Sequence, residues 1–354
     1  MLTLLVGSYN KPGVSGLKGY LFDQITGKVH PLDGFDVHVN NPSFFTFEKK
    51  DNLLFCVSEM NVDDSSVFRL KCDKNFLSFD PIDIQQLGLT GSPCYVSACK
   101  NYVVTANYGG GNVDFITLDK DNNLSNRITI YQGKATGSDE KRQNAPHIHC
   151  VVISPNEKRL FICDFSDDSI VYVDIEKIVS GDNVTYRHRV GGLIRLPAGT
   201  GPRHLVFDAK SLHAYVLGEL SGDVTVFDVS EQKDLIPKQT INADKVHERA
   251  SADIHLSPDG KFLYASNRRQ NDGIAIFKVK ADDGTLETVG YQTTGRHPRS
   301  FVITPNGLFV LVACRDDNAV EVYKRDTQTG LLELIDKIKD VNNPVCVKFA
   351  PSQT

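Results

Sequence analysis

The sequence predicts an all-β protein, a seven-bladed β-propeller with four antiparallel strands per blade in one domain spanning residues 1–354. Three observations predict it. A short segment, usually opened by Pro, recurs seven times. Each recurrence is followed by further strand-like runs, and the two chain ends each hold part of one more repeat.

The recurring segments are residues 41–47, 92–97, 145–153, 201–207, 251–256, 297–303 and 343–349, and each passes from a small or polar pair into an apolar run. Their second residues, at 42, 93, 146, 202, 252, 298 and 344, are spaced by 46 to 56 residues, and six of the seven are Pro. A length of 354 residues alone suggests two domains. A period near fifty overrides that, because it is the length of a four-stranded blade, and its drift marks loop insertions.

A second apolar run follows each anchor, at 53–59, 102–108, 159–165, 213–220, 262–268 and 309–315. Third runs follow short polar turns, at 67–71, 113–118, 170–175, 224–229, 274–279 and 320–323, and looser fourth runs such as 127–131 and 333–338 complete the repeat. Turns such as Ser154-Pro-Asn-Glu-Lys158, Ser257-Pro-Asp-Gly-Lys261 and Thr304-Pro-Asn-Gly-Leu308 punctuate hairpins through the backbone preferences of Pro, Asn and Gly. No stretch shows the 3.6-residue apolar period of an amphipathic helix.

The ends close the ring. The last anchor supplies one strand before the chain stops, whereas the N-terminus opens on a second-type run at 2–9 and a third-type run at 19–23. Pairing the C-terminal strand with the N-terminal strands completes the seventh blade and leaves no raw edge. Trp is absent, which excludes a Trp-Asp repeat, and paired glycines are too rare for a kelch array.

Composition narrows the function. Hydrophobic residues make up 40% and charged residues 23%, as in ordinary globular proteins, and 44 acidic against 39 basic side chains give a net charge of −5. That sign, with no Lys/Arg run, argues against nucleic acid. No apolar stretch is long enough to span a bilayer, and the first residues lack the basic region of a signal peptide and read as a strand. The eight cysteines contain no C-x-x-C pair and mostly sit in apolar runs, so buried free thiols and a cytoplasmic setting are expected.

Innermost strands of a propeller line its channel, so their polar residues converge there. Five of the ten histidines fall on predicted innermost strands: His147, His149, His204, His255 and His297. Strand alternation would put His147 and His149 on one face. Arg203, Arg268 and Glu219 join them as a candidate polar site. Glu219 reads equally as a proton-transfer group or as an ion-pair partner that fixes Arg203 or Arg268. Asn107 and Tyr108, before a Gly-Gly-Gly turn, are candidates for ligand contact by close backbone approach. Arg269, His297, Arg299 and Arg315 would raise the positive potential at the channel mouth, which a net-negative protein needs if it handles an anion. A metal site from His147 and His149 with Asp253, Glu219 or Asp164 lacks a tight second ligand pair, so neither metal nor cofactor is expected.

Asn41-Pro-Ser43, Ala106-Asn-Tyr-Gly-Gly110, His147-Ile-His149, Gly201-Pro-Arg-His204, Glu219, Ser266-Asn-Arg268 and Pro298-Arg299 occur in register with the blades. Taken in this order, they resemble the propeller-type lactonase family, whose best known activity is 6-phosphogluconolactonase and which includes carboxymuconate lactonising enzymes. Two positions depart from its pattern: Ser166 stands where the family usually has Gly, and Ala313-Cys-Arg315 where Asn is common. The resemblance implies that His149, Arg203, Glu219 and Arg268 act in catalysis. No Gly-x-Ser-x-Gly nucleophile elbow is present, so direct attack by water is simpler than an acyl-enzyme. The expected substrate is a small anionic sugar lactone, opened without a cofactor by a monomer or homodimer. His147, His204, Asn107, Tyr108 and Arg299 are the accompanying substrate-binding candidates. Another sugar-lactone or lactonising activity, or a non-catalytic propeller that binds a ligand or a protein, remains the alternative.

Overall fold

The computed structural model describes residues 1–351 except 11–13, 62–63, 181–182 and 231–233. The described residues form seven four-stranded antiparallel sheets, each running outward from an innermost strand. Blade 1 is completed as the sequence predicts. Pro344–Phe349 is its innermost strand and pairs with Leu2–Ser8, placing Leu4 opposite Phe349 and Val6 opposite Val347. Leu17–Phe22 follows, and a short fourth strand, Val29–Pro31, adds the outer edge that the sequence left undefined.

The other innermost strands are Phe44–Glu48, Pro93–Ala98, Ile148–Ile153, Pro202–Phe207, Ser251–Leu256 and Pro298–Ile303, in blades 2 to 7. Blade 4 ends in a long hairpin, Ser169–Ser180 with Asn183–Arg195, which accounts for the widest repeat spacing. The helical content of the described residues is a single turn at Arg315–Asp317.

Burial grades across each blade and explains the sequence pattern. Second strands such as Leu53–Ser58, Tyr102–Asn107 and Phe309–Cys314 are buried at every position, and they read as continuous apolar runs because both faces meet a neighbouring blade. Fourth strands such as Leu332–Ile338 are buried at the first residue and exposed through most of the rest, which is why they were hard to delimit. The hydrophobic clusters lie between blades. Val104, Val113 and Phe115 of blade 3, for example, pack with Val151, Leu160 and Ile162 of blade 4. Buried tyrosines on second strands staple neighbours together: Tyr102, Tyr215 and Tyr264 donate to the carbonyls of Glu157, Gly284 and Gly330 on the next blade's turn, at 3.0, 2.9 and 2.8 Å.

All eight cysteines are buried and unbridged, as their apolar context predicts. No helix among the described residues is long and apolar enough to cross a membrane.

Candidate active site at one mouth of the channel

Two repeated backbone devices aim side chains into one end of the channel. The first is a break in pairing at the start of the innermost strands. Register shifts between Pro93 and Tyr95, Ile148 and Cys150, Pro202 and His204, and Pro298 and Ser300 leave Cys94, His149, Arg203 and Arg299 without a partner on the second strand. A bulged residue is freed from the pleat and re-aimed, which is how bulges serve sites at sheet edges.

The second device joins the end of the second strand to the residue before the anchor in five blades. Asn41, Ser92, Gly201, His297 and Asn343 precede the anchor prolines and have positive φ, between 43° and 60°. Their carbonyls accept the N–H of Glu59, Tyr108, Glu219, Arg315 and Tyr9, respectively, at 2.8–3.1 Å. These five, and Arg268 in blade 6, each immediately follow a second strand and line one cavity; Phe165, at the same position in blade 4, does not line it. Gly201 is required at its position. Its φ is +54°, and a Cβ there would lie 2.7 Å from the Leu220 side chain.

The cavity has a volume of about 530 Å³, and His149, Cys94, Arg142, Arg269, Arg299, His297 and Asp316 complete its lining. Five arginines face three carboxylates there, a local excess of positive charge on a protein of net charge −5.

Glu219 is the electrostatic centre. Its Oε1 accepts from Arg142 Nη2 at 2.6 Å and pairs with Arg268 Nη2 at 3.1 Å, while Oε2 accepts from Arg203 Nε at 3.0 Å. Burial alone would raise its pKa, but Arg268, Arg203 and Arg142 outweigh burial and hold the carboxyl down at about 2. Of the two roles open to Glu219, the geometry matches the ion-pair hub. His149 Nε2 stands 3.9 Å from the same Oε2. Burial, reinforced by Arg203, His204 and Arg299, pushes the imidazole well below its ordinary range and keeps it neutral.

Below the cavity floor the network continues. Arg203 is 2% exposed and does not line the cavity; its Nη1 donates to the Ala252 carbonyl at 2.5 Å and to His204 Nε2 at 3.1 Å. His204 Nδ1 donates to Asp253 Oδ1 at 2.8 Å, which settles the tautomer and leaves Nε2 free to accept. Burial and Arg203 push the His204 pKa down to about 4, against the pull of Asp253. Arg203 thus holds Glu219 from beneath, and His204, fixed by Asp253, holds Arg203.

Other sequence expectations are corrected. His147 precedes the strand Ile148–Ile153, so alternation does not apply to it. It donates from Nδ1 to the Tyr108 carbonyl at 2.8 Å and stacks on the Tyr108 ring at a centroid distance of 4.1 Å. His297 likewise precedes its strand, at φ +60°. Asn107 is fully buried inside blade 3, where its amide donates to Asp114 Oδ2 at 2.9 Å, because it is the last residue of the strand and Tyr108 the first beyond it. Tyr108, Arg268, Arg269, His297, Arg299 and Arg315 do line the cavity, alongside His149 and Glu219. Among the described residues no three His, Cys, Asp or Glu side chains gather as a metal ligand set.

Tyr9, Glu59, Cys94, Arg142 and Asp316 also line the cavity, and no sequence motif marks them. Tyr9 and Glu59 share the repeat position of Glu219, and Cys94 shares that of His149 and Arg203, so the repeat register itself could have found these three. Arg142 lies in the loop before blade 4, outside any register. That loop is pinned by Gln143 Nε2, which donates to Phe165 O at 2.7 Å and Asp168 Oδ1 at 2.8 Å. Ser166, one of the two departures from the family pattern, also holds it: its hydroxyl donates to Ala145 O at 2.6 Å.

Comparison with known proteins agrees with the propeller fold. The family described as a seven-bladed β-propeller lactonase matches residues 3–349. A 6-phosphogluconolactonase of Formosa agariphila is 29% identical over 347 residues, covering 96% of this chain and 97% of the relative. A Bacteroides uniformis structure described as a candidate 6-phosphogluconolactonase is 42% identical, with a TM-score of 0.89 and 99% of both chains covered. The periplasmic gluconolactonase of Pseudomonas aeruginosa superposes with a TM-score of 0.85 at 27% identity, again over 99% of both chains.

Proposed function

Since the chain belongs to the lactonase family of seven-bladed β-propellers, lactone hydrolases by class, we propose that it opens 6-phospho-D-glucono-1,5-lactone to 6-phosphogluconate, a step of the oxidative pentose phosphate route. The observation that carries this reading is the cluster of five arginines around a cavity sized for one sugar acid. A neutral lactone needs no such field, and a protein interface is usually poor in buried charge and rich in aromatics. The eight buried thiols support a cytoplasmic setting, although the similar Pseudomonas protein is periplasmic.

Hydrolysis forms a bond from water oxygen to the lactone carbonyl carbon and breaks the bond from that carbon to the ring oxygen. Arg299 sits deep in the cavity, with its guanidinium 5.4 Å from the Tyr9 ring centroid and 3.8 Å from Glu59, so its remaining donors can stabilise the carbonyl oxygen as it gains charge. The neutral His149 offers a lone pair that orients the attacking water. Arg269, exposed, and Arg315, half-buried, suit the phosphate, and Arg268 Nη1 stands 3.5 Å from His297 Nε2 in the same lining.

A lactone-consumption assay corrected for spontaneous opening tests the reading. The protein should accelerate opening of the phosphorylated lactone, with and without chelator. His149→Gln should lower kcat by about 10²-fold while KM changes little; an intact kcat with only a lower melting temperature would reduce His149 to a core histidine. Replacing both Arg269 and Arg315 by Ala should raise KM for the phosphorylated lactone by roughly tenfold and leave KM for gluconolactone unchanged. Equal effects on both lactones would remove the phosphate from the substrate assignment.

A further inference from the structure

The cavity holds two glutamates in opposite states. Both oxygens of Glu219 are engaged by guanidinium groups, which makes it a fixed anion with no capacity to take a proton at neutral pH. Glu59, at the same repeat position three blades away, has one oxygen engaged. Its Oε2 accepts from the Tyr9 hydroxyl at 2.8 Å and lies 3.8 Å from Arg299 Nη2, whereas Oε1 has no partner on a residue that lines the cavity. Glu59, Cys94 and His149 line the same cavity; Cys94 Sγ is 3.8 Å from His149 Nδ1, and Glu59 is the charged group that bears most on the Cys94 thiol.

We propose that Glu59 is a catalytic residue, the carboxylate that takes the proton from the attacking water. The inference rests on the hydrolase reading above and names the base within it. The neutral, buried His149 can hold the water but is too weakly basic to keep its proton, and Glu219 is already saturated. In the step, the water O–H proton passes to Glu59 Oε1 as the water oxygen bonds to the carbonyl carbon, and the carbonyl π pair moves onto oxygen beside Arg299. Collapse of this intermediate re-forms the C=O bond and breaks the bond to the ring oxygen. The ring oxygen leaves with the electron pair and receives the proton from Glu59, which restores the carboxylate, and the product acid loses its own proton to solvent. The Tyr9 hydrogen bond on Oε2 keeps Oε1 turned to the reacting water.

Steady-state kinetics on 6-phosphogluconolactone and gluconolactone, with thermal melts of each variant, test this. Glu59→Gln should lower kcat by about 10²–10³-fold with KM within about threefold of wild type and a melting temperature nearly unchanged. Glu59→Asp should recover part of the rate, and formate added to Glu59→Ala should restore part of kcat by supplying the missing carboxylate. A kcat for Glu59→Gln within threefold of an active wild type overturns the assignment and leaves the hydrolase reading standing. Loss of kcat together with a falling melting temperature, with neither Asp nor formate rescuing it, also overturns it and makes Glu59 a structural partner of Arg299. A wild type that accelerates neither lactone fails the hydrolase reading itself, and the Glu59 assignment falls with it.

Discussion

A chain ending at residue 342 should yield no soluble folded protein. The lost strand Pro344–Phe349 is the innermost one of blade 1, paired along Leu2–Ser8, whose seven residues are all buried. Val345, Cys346 and Val347 are each at most 2% exposed, and removing them uncovers the inner edge of blade 1. Burying three such side chains contributes roughly 5–8 kcal/mol, comparable with the whole stability of an ordinary domain at about 5–15 kcal/mol. The mouth suffers as well, because the Tyr9 N–H loses the Asn343 carbonyl. Partition between soluble and pelleted fractions, followed by a thermal melt, reads the outcome. A soluble truncated chain that melts like the full one would show that closure does not depend on this strand.

Glu219→Gln should produce the largest effect of any single substitution in the site, on stability and activity together. Arg142, Arg203 and Arg268 all lean on this carboxylate, two of them almost completely buried, and the neutral amide leaves their charge uncompensated. Removing one partner of a buried ion pair costs about 3–5 kcal/mol, which for a chain of this length lowers the melting temperature by roughly 5 °C. A fall in kcat/KM of about 10²-fold or more should accompany it, since the displaced guanidinium groups no longer define the cavity.

The pH dependence of stability carries the same signature. The Glu219 carboxyl is held down at about 2, against an ordinary value of 4.5. Its contribution is therefore complete above about pH 4.5 and is lost as pH falls from there through 2, on the order of 3 kcal/mol over that window. Wild type should lose stability more steeply than Glu219→Gln between those limits, measured as melting temperature against pH. Parallel curves would mean that the three arginines find other partners.

The site was only partly legible in the sequence, for identifiable reasons. His149 and Arg268 stand out because they fall in short motifs, and Glu219 through the resemblance to the lactonase family. Glu59 and Tyr9 sit in no such motif, yet they occupy the repeat position of Glu219, one residue past a second strand. The motif around Asn107 points one residue short of the cavity: the strand ends on it, so its side chain turns into the blade and that of Tyr108 into the cavity. The sequence pattern places His147 on the strand, but the strand begins one residue later. Errors of one residue matter here because side chains alternate with a period of two.

What the sequence by itself determined is the blade. The period near fifty, the anchor prolines, the hairpin turns and the unbroken apolar second runs are local signals, each set by backbone preference or by burial on both faces. The number of blades and the closing strand follow from counting them. Which side chains meet was decided only by the tertiary structure. Closure of the ring brings Glu59 beside Arg299, 240 positions away in sequence. The register breaks at the start of the innermost strands turn His149 and Arg299 toward the channel, and a loop outside the repeat lays Arg142 against Glu219. Such contacts depend on where the blades stand relative to one another, and no run of adjacent residues encodes that.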